Sequence, residues 1–387
     1  MSQSFDVLII GAGQAGPPLA GRLTAAGMTV ALIERHLFGG TCVNTGCTPT
    51  KTLVASAYAA HLARRAAGYG VIIPGEIGVD MKQVKARADA VVANSRNSVE
   101  TWLRSMDRLS VFQGQARFED VNTLRVGNNL LTAPQIFINV GGRARVPEMP
   151  GMREISYLTN TSILAMDCLP EHLVVVGGSY IGLEFAQIFR RFGATVTVVE
   201  KGPCLIARED EDVSVAVRQI LEAEGVHIRT SAECIAFTPH PDGVTVRVDC
   251  IEGAPEVIGS HVLLAVGRQP NTNDLGLDRA GVATDAHGYI TVDDQLRTNV
   301  PGIWALGDCN GRGAFTHTSY NDFEIVAANL LDGAAKKVSD RISAYALYID
   351  PPLGRVGLTE AQARASGRPL LIGTRPMRRC IMRMMQS

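Results

Sequence analysis

No apolar run in this sequence reaches the roughly 18 residues that a membrane-crossing helix requires, so no membrane partner is expected. Charge of one sign is not in excess either. The 37 Lys and Arg stand against 38 Asp and Glu, a formal net charge of −1, which argues against a nucleic-acid partner. The N-terminus, Met1-Ser-Gln-Ser-Phe-Asp, enters a short apolar run with no basic stretch or cleavage site, so no secretory leader is expected. A secreted disulfide framework is also missing. Of eight cysteines only Cys42 and Cys47 are close in sequence, while Cys168, Cys204, Cys234, Cys250, Cys309 and Cys380 stand alone. With 46% apolar residues and 39 glycines, the composition is that of a soluble α/β protein with no sign of disorder. A cytoplasmic chain of two or three domains is the expectation for its 387 residues.

What is present is one pattern used twice. Val7–Ile10 is a continuous apolar run of buried-strand type leading into Gly11-Ala-Gly13-Gln-Ala-Gly16, and a second strand from Met28 ends at Glu34. Strand, G-x-G-x-x-G, helix, strand and terminal acid form a dinucleotide-binding fingerprint. The glycines let the backbone approach a pyrophosphate at a helix N-terminus, and the acid accepts from a ribose. Pro17 and Pro18 fall in the helix's first turns, where the N–H groups lack intrahelical partners anyway. The pattern returns with strand His172–Val176, then Gly177-Gly178-Ser179-Tyr180-Ile181-Gly182, and strand Thr195–Val199 ending at Glu200. Two units imply two dinucleotides. Glu200 favours NADH over NADPH, because a carboxylate repels a 2′-phosphate, although Lys201 and Arg208 offset part of that repulsion.

Between the units lies Gly39-Gly40-Thr41-Cys42-Val43-Asn44-Thr45-Gly46-Cys47-Thr48-Pro49-Thr50-Lys51. On a regular helix cysteines five apart would have Cα atoms roughly 8–9 Å apart, too far for a disulfide, which needs less than about 7 Å. Gly46 is the residue that tolerates a distortion bringing them together. Taken alone, the pair reads more readily as half of a zinc site or as two incidental core cysteines than as a reducible disulfide at a helix start. Farther on, Leu53 to Ala67 reads as helix. Met81, Val84, Ala88, Val91, Val99, Trp102 and Met106 keep helical spacing. Ser110 to Val140 suggests a small antiparallel insertion. Gly141-Gly142 and Pro147 to Gly151 mark a crossing between domains, and Gly267 to Thr272 a return. A strand ending at Asp308 places an acid where doubly wound sheets bind ligands, and a helix runs from about Ser319 to Leu331.

Together these residues resemble the flavoprotein disulfide reductases, the family of dihydrolipoamide dehydrogenase, glutathione reductase and mercuric reductase. The likeness runs from about Phe5 to Thr359, and its most specific motif is Gly39 to Lys51. It implies an α/β fold with two Rossmann-like domains and only the beginning of a C-terminal α+β dimerisation domain. The expected division is residues 1–148 and 269–340 for FAD, 149–268 for NAD(P), and 341–387 for the interface segment. It further implies that Gly11, Gly13, Gly16, Glu34 and Asp308 serve FAD, that Gly177, Gly178, Gly182 and Glu200 serve the NAD(P)H, and that Gly40, Thr41 and Gly267 also belong to the cofactor sites. Tyr180 would gate the nicotinamide pocket, Lys51 and Glu184 would pair beside the flavin, and Thr316 and His317 would open a helix facing the flavin pyrimidine. Electrons would pass from NAD(P)H through flavin to a Cys42–Cys47 disulfide. Cys47 would be the thiolate nearer the flavin, and Cys42 the more exposed thiol that attacks a disulfide or ligates a soft metal ion. No resident metal is implied.

The family's acid–base His-Pro and Glu are not matched. Asp350-Pro-Pro-Leu-Gly-Arg-Val-Gly-Leu-Thr-Glu360 resembles the start of the interface domain, but Met377–Ser387 does not continue it. A truncated end or altered reading frame is the expectation, and a family-type homodimer would then be incomplete. His240-Pro241 has the dipeptide in a turn of the nucleotide domain, and Cys380 is a poor match to the terminal redox cysteines of mercuric reductases. The alternatives to a disulfide or metal-ion reductase are a flavoprotein that reduces only quinones, dyes or oxygen, and a non-enzymatic nucleotide-binding remnant.

Overall fold

The computed structural model describes residues 2–233, 235–249 and 254–375, so Met377–Ser387, Cys380 included, lie outside the described residues. Two parallel sheets organise the chain. The first has five strands in the order Ile303–Ala305, Gln135–Ile138, Val7–Ile10, Val30–Glu34 and Leu109–Gln113. Its central strand is apolar at every position because both faces are covered. Side chains alternate between the faces. Val7 and Ile9 pack with Leu19, Leu103 and Phe323, under helices Gly16–Ala25, Met81–Arg104 and Thr316–Leu331. Leu8 and Ile10 pack on the other side with Phe118, Leu131 and Leu275.

The second sheet orders His227–Arg229, Thr195–Val199, His172–Val176 and His261–Leu264, all parallel. Helices Tyr180–Phe192 and Glu211–Ala223 cover one face, and an antiparallel meander from Ala236 to Gly259 covers the other. His240 ends the first strand of that meander. The long helix Cys47–Arg65 joins the halves, since Leu53 and Ala57 sit in the core of the second unit with Phe185 and Phe189. Helix Met81–Arg104 opens on Asp80, whose carboxylate accepts the Lys82 and Gln83 N–H groups at 3.0 and 3.2 Å, a cap for otherwise unpartnered donors.

The expected antiparallel insertion over Ser110–Val140 is smaller than its sequence suggests. Leu109–Gln113 and Gln135–Ile138 are parallel members of the first sheet. Only Ala116–Asp120, Thr123–Val126 and Asn129–Thr132 form an antiparallel set, edged by Ser2–Ser4 in parallel. The crossing between units is a two-stranded ribbon, in which the outgoing Gly142–Ala144 pairs with the returning Arg268–Pro270. The chain ends its described course in a hairpin, Ala344–Leu347 with Leu353–Val356, and helix Glu360–Ala365 capped by Thr359. Leu347 and Ile349 plug the core of the second unit, which fixes the hairpin beside the cleft. Among the described residues no helix is long and apolar enough to cross a membrane.

Candidate active site at the cysteine pair

The cysteine segment folds as two helices with a break. Gly40–Thr45 forms one short turn, Gly46 leaves helical geometry at φ −141° and ψ −117°, and Cys47–Arg65 begins anew. A Cβ on Gly46 would lie 2.9 Å from the Thr41 carbonyl oxygen, so the break leaves no room for a larger residue. The expected distortion is therefore located, and it makes Cys47 the first residue of a 19-residue helix. That end carries unpartnered N–H groups and the positive pole of the helix dipole, both of which favour a thiolate.

In this structure the two cysteines are thiols. The Cys42 thiol bonds to the Cys47 sulfur, and that bond is the largest influence lowering Cys47 to about 6. The Thr316 hydroxyl, 3.2 Å from the Cys47 sulfur, and the charge of Lys51 act in the same direction against burial. Cys42 is pushed the opposite way, by the same bond and by burial. The coupling between the two sulfurs favours the pair holding one proton rather than two. Cys47 faces the cleft that the glycine loop also lines, and Cys42 is half-buried beside it. The reason is position, since Cys47 opens its helix toward the cleft and Thr316, while Cys42 lies within the preceding short helix.

Lys51 stands one turn beyond Cys47. Its Nζ lies 2.9 and 2.7 Å from the two carboxylate oxygens of Glu184 and 4.4 Å above the Tyr348 ring. Glu184 is 8% exposed at its side chain and also accepts the Tyr348 N–H at 2.9 Å. Cys42, Cys47, Lys51, Tyr180, Glu184 and Thr316 line one cleft of about 1150 Å³. His317 lines it too, with its ring stacked on Phe315 at 5.5 Å and its Nε2 bonded to the Ala344 carbonyl.

The same cleft reaches Gly11, Gly13, Glu34, Gly40, Thr41 and Asp308. Gly11 has φ +105°, and a Cβ there would lie 2.3 Å from the Asn139 carbonyl oxygen. A Cβ on Gly16 would lie 2.3 Å from the Gly11 oxygen, so helix and loop meet without a side chain between them. Glu34 accepts the Ala12 N–H at 2.9 Å and the His36 N–H at 2.8 Å. Asn139, beside this loop, keeps its buried side-chain nitrogen without a partner, a donor free for a ligand at the glycine loop. Burial raises the Asp308 carboxyl, opposed by Arg268 at 3.4 Å. A glycine cradle, a ribose acceptor and an unused buried donor fit the FAD that the fold implies.

The second unit repeats the first. A Cβ on Gly182 would lie 2.2 Å from the Gly177 oxygen, and Glu200 accepts the Gly178 and Gly202 N–H groups at 2.6 and 2.7 Å. These residues form a separate cradle, and Tyr180 and Ile181 are the members of that loop that reach the cleft wall. Gly267 is not on that wall. The turn it makes, at φ +115°, delivers Arg268 there instead. Sequence reasoning passed over Arg268, Asn139, Tyr345, Tyr348, Glu209 and Arg355. Arg268 alone had a signal, as the charged residue of the returning loop. Burial pushes the thiol of Cys309, the neighbour of Asp308, up to about 12. Among the described residues no group of three or more His, Cys, Asp or Glu could hold a metal ion.

The family model described as pyridine nucleotide-disulphide oxidoreductase matches residues 5–322. The chain is 37% identical over 381 residues to the probable pyridine nucleotide-disulfide oxidoreductase RclA of Escherichia coli, covering 96% of this chain and 81% of that protein. It is 34% identical to the mercuric reductase of Streptomyces lividans, over 94% of this chain and 77% of that one. Identity to the dihydrolipoyl dehydrogenase of Cupriavidus necator is 32%, over 97% and 82%. The solved structure of the HOCl-induced flavoprotein disulfide reductase RclA from Escherichia coli superposes with a TM-score of 0.86 at 36% identity, over 98% of this chain and 84% of that one. FAD, NAD(P) and a redox-active disulfide are the equipment of this family. The chain belongs to the pyridine nucleotide-disulphide oxidoreductases.

Proposed function

We propose that this chain is an FAD-dependent NAD(P)H oxidoreductase that delivers electrons through Cys42 and Cys47 to a small-molecule disulfide or a soft metal ion. The observation that carries the reading is geometric: both sulfurs line the cleft that the glycine loop also lines, with Cys47 opening its helix 3.2 Å from the Thr316 hydroxyl and the Lys51–Glu184 pair one turn on. The residues placed to hold the flavin are Gly11, Gly13, Gly16, Glu34, Gly40, Thr41 and Asp308, with Asn139 and Arg268 beside them. When bound, FAD would take a hydride from the nicotinamide and supply two electrons to the cysteine pair.

The chain's own part starts from reduced sulfurs. Cys42 gives up its proton, and its sulfur attacks one sulfur of a substrate disulfide, breaking that S–S bond and releasing one thiolate. Cys47 then attacks the Cys42 sulfur, restoring the Cys42–Cys47 bond and releasing the second thiolate. Two protons, one from Cys42 and one from water, complete two product thiols. Lys51 and the N-termini of helices Cys47–Arg65 and Thr316–Leu331 hold the Cys47 charge while it waits. A soft metal ion would be taken by the same sulfurs. A Cu(II) complex of the Escherichia coli RclA is among the similar structures, which supports that choice of acceptor.

NADH is the preferred donor in this reading. The Glu200 carboxylate, anchored by two backbone N–H groups, suits a free ribose diol and opposes a 2′-phosphate. The test is turnover by the flavin-loaded protein with NADH and either a small disulfide or a soft metal ion. Turnover that vanishes in Cys42→Ser is expected. Dye or oxygen reduction alone, unchanged in Cys42→Ser, would replace this reading with that of a diaphorase.

A further inference from the structure

We propose that Glu209 latches Tyr180 shut and thereby couples nicotinamide entry to the C-terminal hairpin. The inference deepens the reading above and rests on its assignment of the Gly177–Gly182 loop to the dinucleotide. Tyr180 and Glu184 are one turn apart on helix Tyr180–Phe192 and share a face. A nicotinamide that starts from the glycine loop and ends beside the Lys51–Glu184 pair therefore meets the Tyr180 ring on its way.

That ring is held in place. Its hydroxyl donates to Glu209 Oε1 at 2.7 Å, and its edge stands against Phe315 and Tyr345 at centroid distances of 6.2 and 5.7 Å. The Tyr345 hydroxyl donates to the same Oε1, also at 2.7 Å. Oε2 takes the Arg355 Nε at 3.0 Å and a second Arg355 nitrogen. Tyr345 and Arg355 face each other across the hairpin, so one carboxylate ties the gate to both members of a cross-strand pair. The Glu209 side chain is 0% exposed while the ring is in place, so the bond is shielded from water as long as the gate stays shut. Swinging Tyr180 away breaks a charge-assisted hydrogen bond, which lowers the fraction of open protein by about ten-fold or more. A ligand that needs the open state loses apparent affinity by that factor. Glu209, Tyr345 and Arg355 are positioning residues in this scheme.

Calorimetric titration of the flavin-loaded protein with NAD+ and with ADP-ribose tests it. ADP-ribose shares the adenine dinucleotide frame but has no nicotinamide to pass the gate. Tyr180→Phe keeps the ring and removes the latch, so NAD+ should bind about ten-fold more tightly while ADP-ribose is unchanged. Tyr345→Phe leaves Oε1 to Tyr180 alone and strengthens that bond, so NAD+ should bind more weakly, again with ADP-ribose unchanged. Equal NAD+ affinity in wild type and Tyr180→Phe, with normal ADP-ribose binding, overturns the latch and leaves the dinucleotide site standing. Equal shifts for both ligands also overturn it, because they report a general effect on the site. A wild-type protein that binds no ADP-ribose sinks the assignment of the loop and the latch with it.

Discussion

The Thr316 hydroxyl lies 3.2 Å from the Cys47 sulfur, and each of the two is the first residue of its helix. Two helix N-termini thus converge on one sulfur from different parts of the chain. Each end contributes a partial positive charge and donors that the helix does not use. Lys51, one turn along from Cys47, adds a full charge. This convergence gives the site its capacity to store a thiolate at neutral pH.

Replacing Thr316 with valine keeps the shape and removes the hydroxyl. In wild type the Cys47 thiolate should persist as pH falls to about 6 and be lost below that, because its pKa is lowered rather than raised. In Thr316→Val the midpoint should move up by roughly one pH unit, the scale of one hydrogen bond to a charged group. The pH dependence of Cys47 alkylation, measured with Cys42 intact and the modified cysteine identified by peptide mapping, gives the two midpoints. Identical midpoints would remove Thr316 from the account of the thiolate.

Lys51→Met should raise the same midpoint and also destabilise the fold. It leaves the Glu184 carboxylate, 8% exposed, with the Tyr348 N–H but no cation. The expected cost is about 1–3 kcal/mol, toward the low end because Lys51 itself is one-third exposed. Adding Glu184→Leu should recover most of the stability and none of the thiolate. Urea unfolding together with the alkylation profile separates the two effects.

The two glycine loops should fail independently. Gly16→Ala places a methyl 2.3 Å from the Gly11 oxygen, and Gly182→Ala places one 2.2 Å from the Gly177 oxygen. Each needs a backbone shift costing about 1–3 kcal/mol. Gly16→Ala should purify with little flavin, read as the ratio of absorbance at the flavin band to that of protein. Gly182→Ala should keep its flavin and lose NADH binding. Loss of flavin in both would mean that the loops do not serve separate dinucleotides.

Glu200→Ser removes the carboxylate opposed to a 2′-phosphate and keeps a hydrogen-bonding group. The ratio of kcat/KM for NADPH to that for NADH should rise by roughly ten-fold, the scale of one charged contact. An unchanged ratio would place donor choice elsewhere, with Lys201 and Arg208 the next residues to vary.

Much of this architecture was legible because its strands are buried on both faces. His172–Val176 and Thr195–Val199 read as runs of apolar and β-branched residues, and they have those bounds in the structure. Leu109–Gln113 misled because it is the edge strand of its sheet and only half-buried, so its alternation resembles that of an antiparallel hairpin. The cysteine segment announced its break through Gly46, yet not that Thr316 would stand against the Cys47 sulfur. That depends on how helix Cys47–Arg65 leans on Phe185 and Phe189. Glu209 carried no signal, because its partner Tyr345 lies 136 residues away and belongs to no motif.

Anaerobic titration of the flavin-loaded protein with NADH tests the central claim most directly. Two-electron reduction should produce a long-wavelength band from the Cys47 thiolate against the oxidised flavin, strongest above about pH 6 and absent in Cys47→Ser. Bleaching of the flavin with no such band in the wild type would contradict the claim that electrons rest on Cys42 and Cys47.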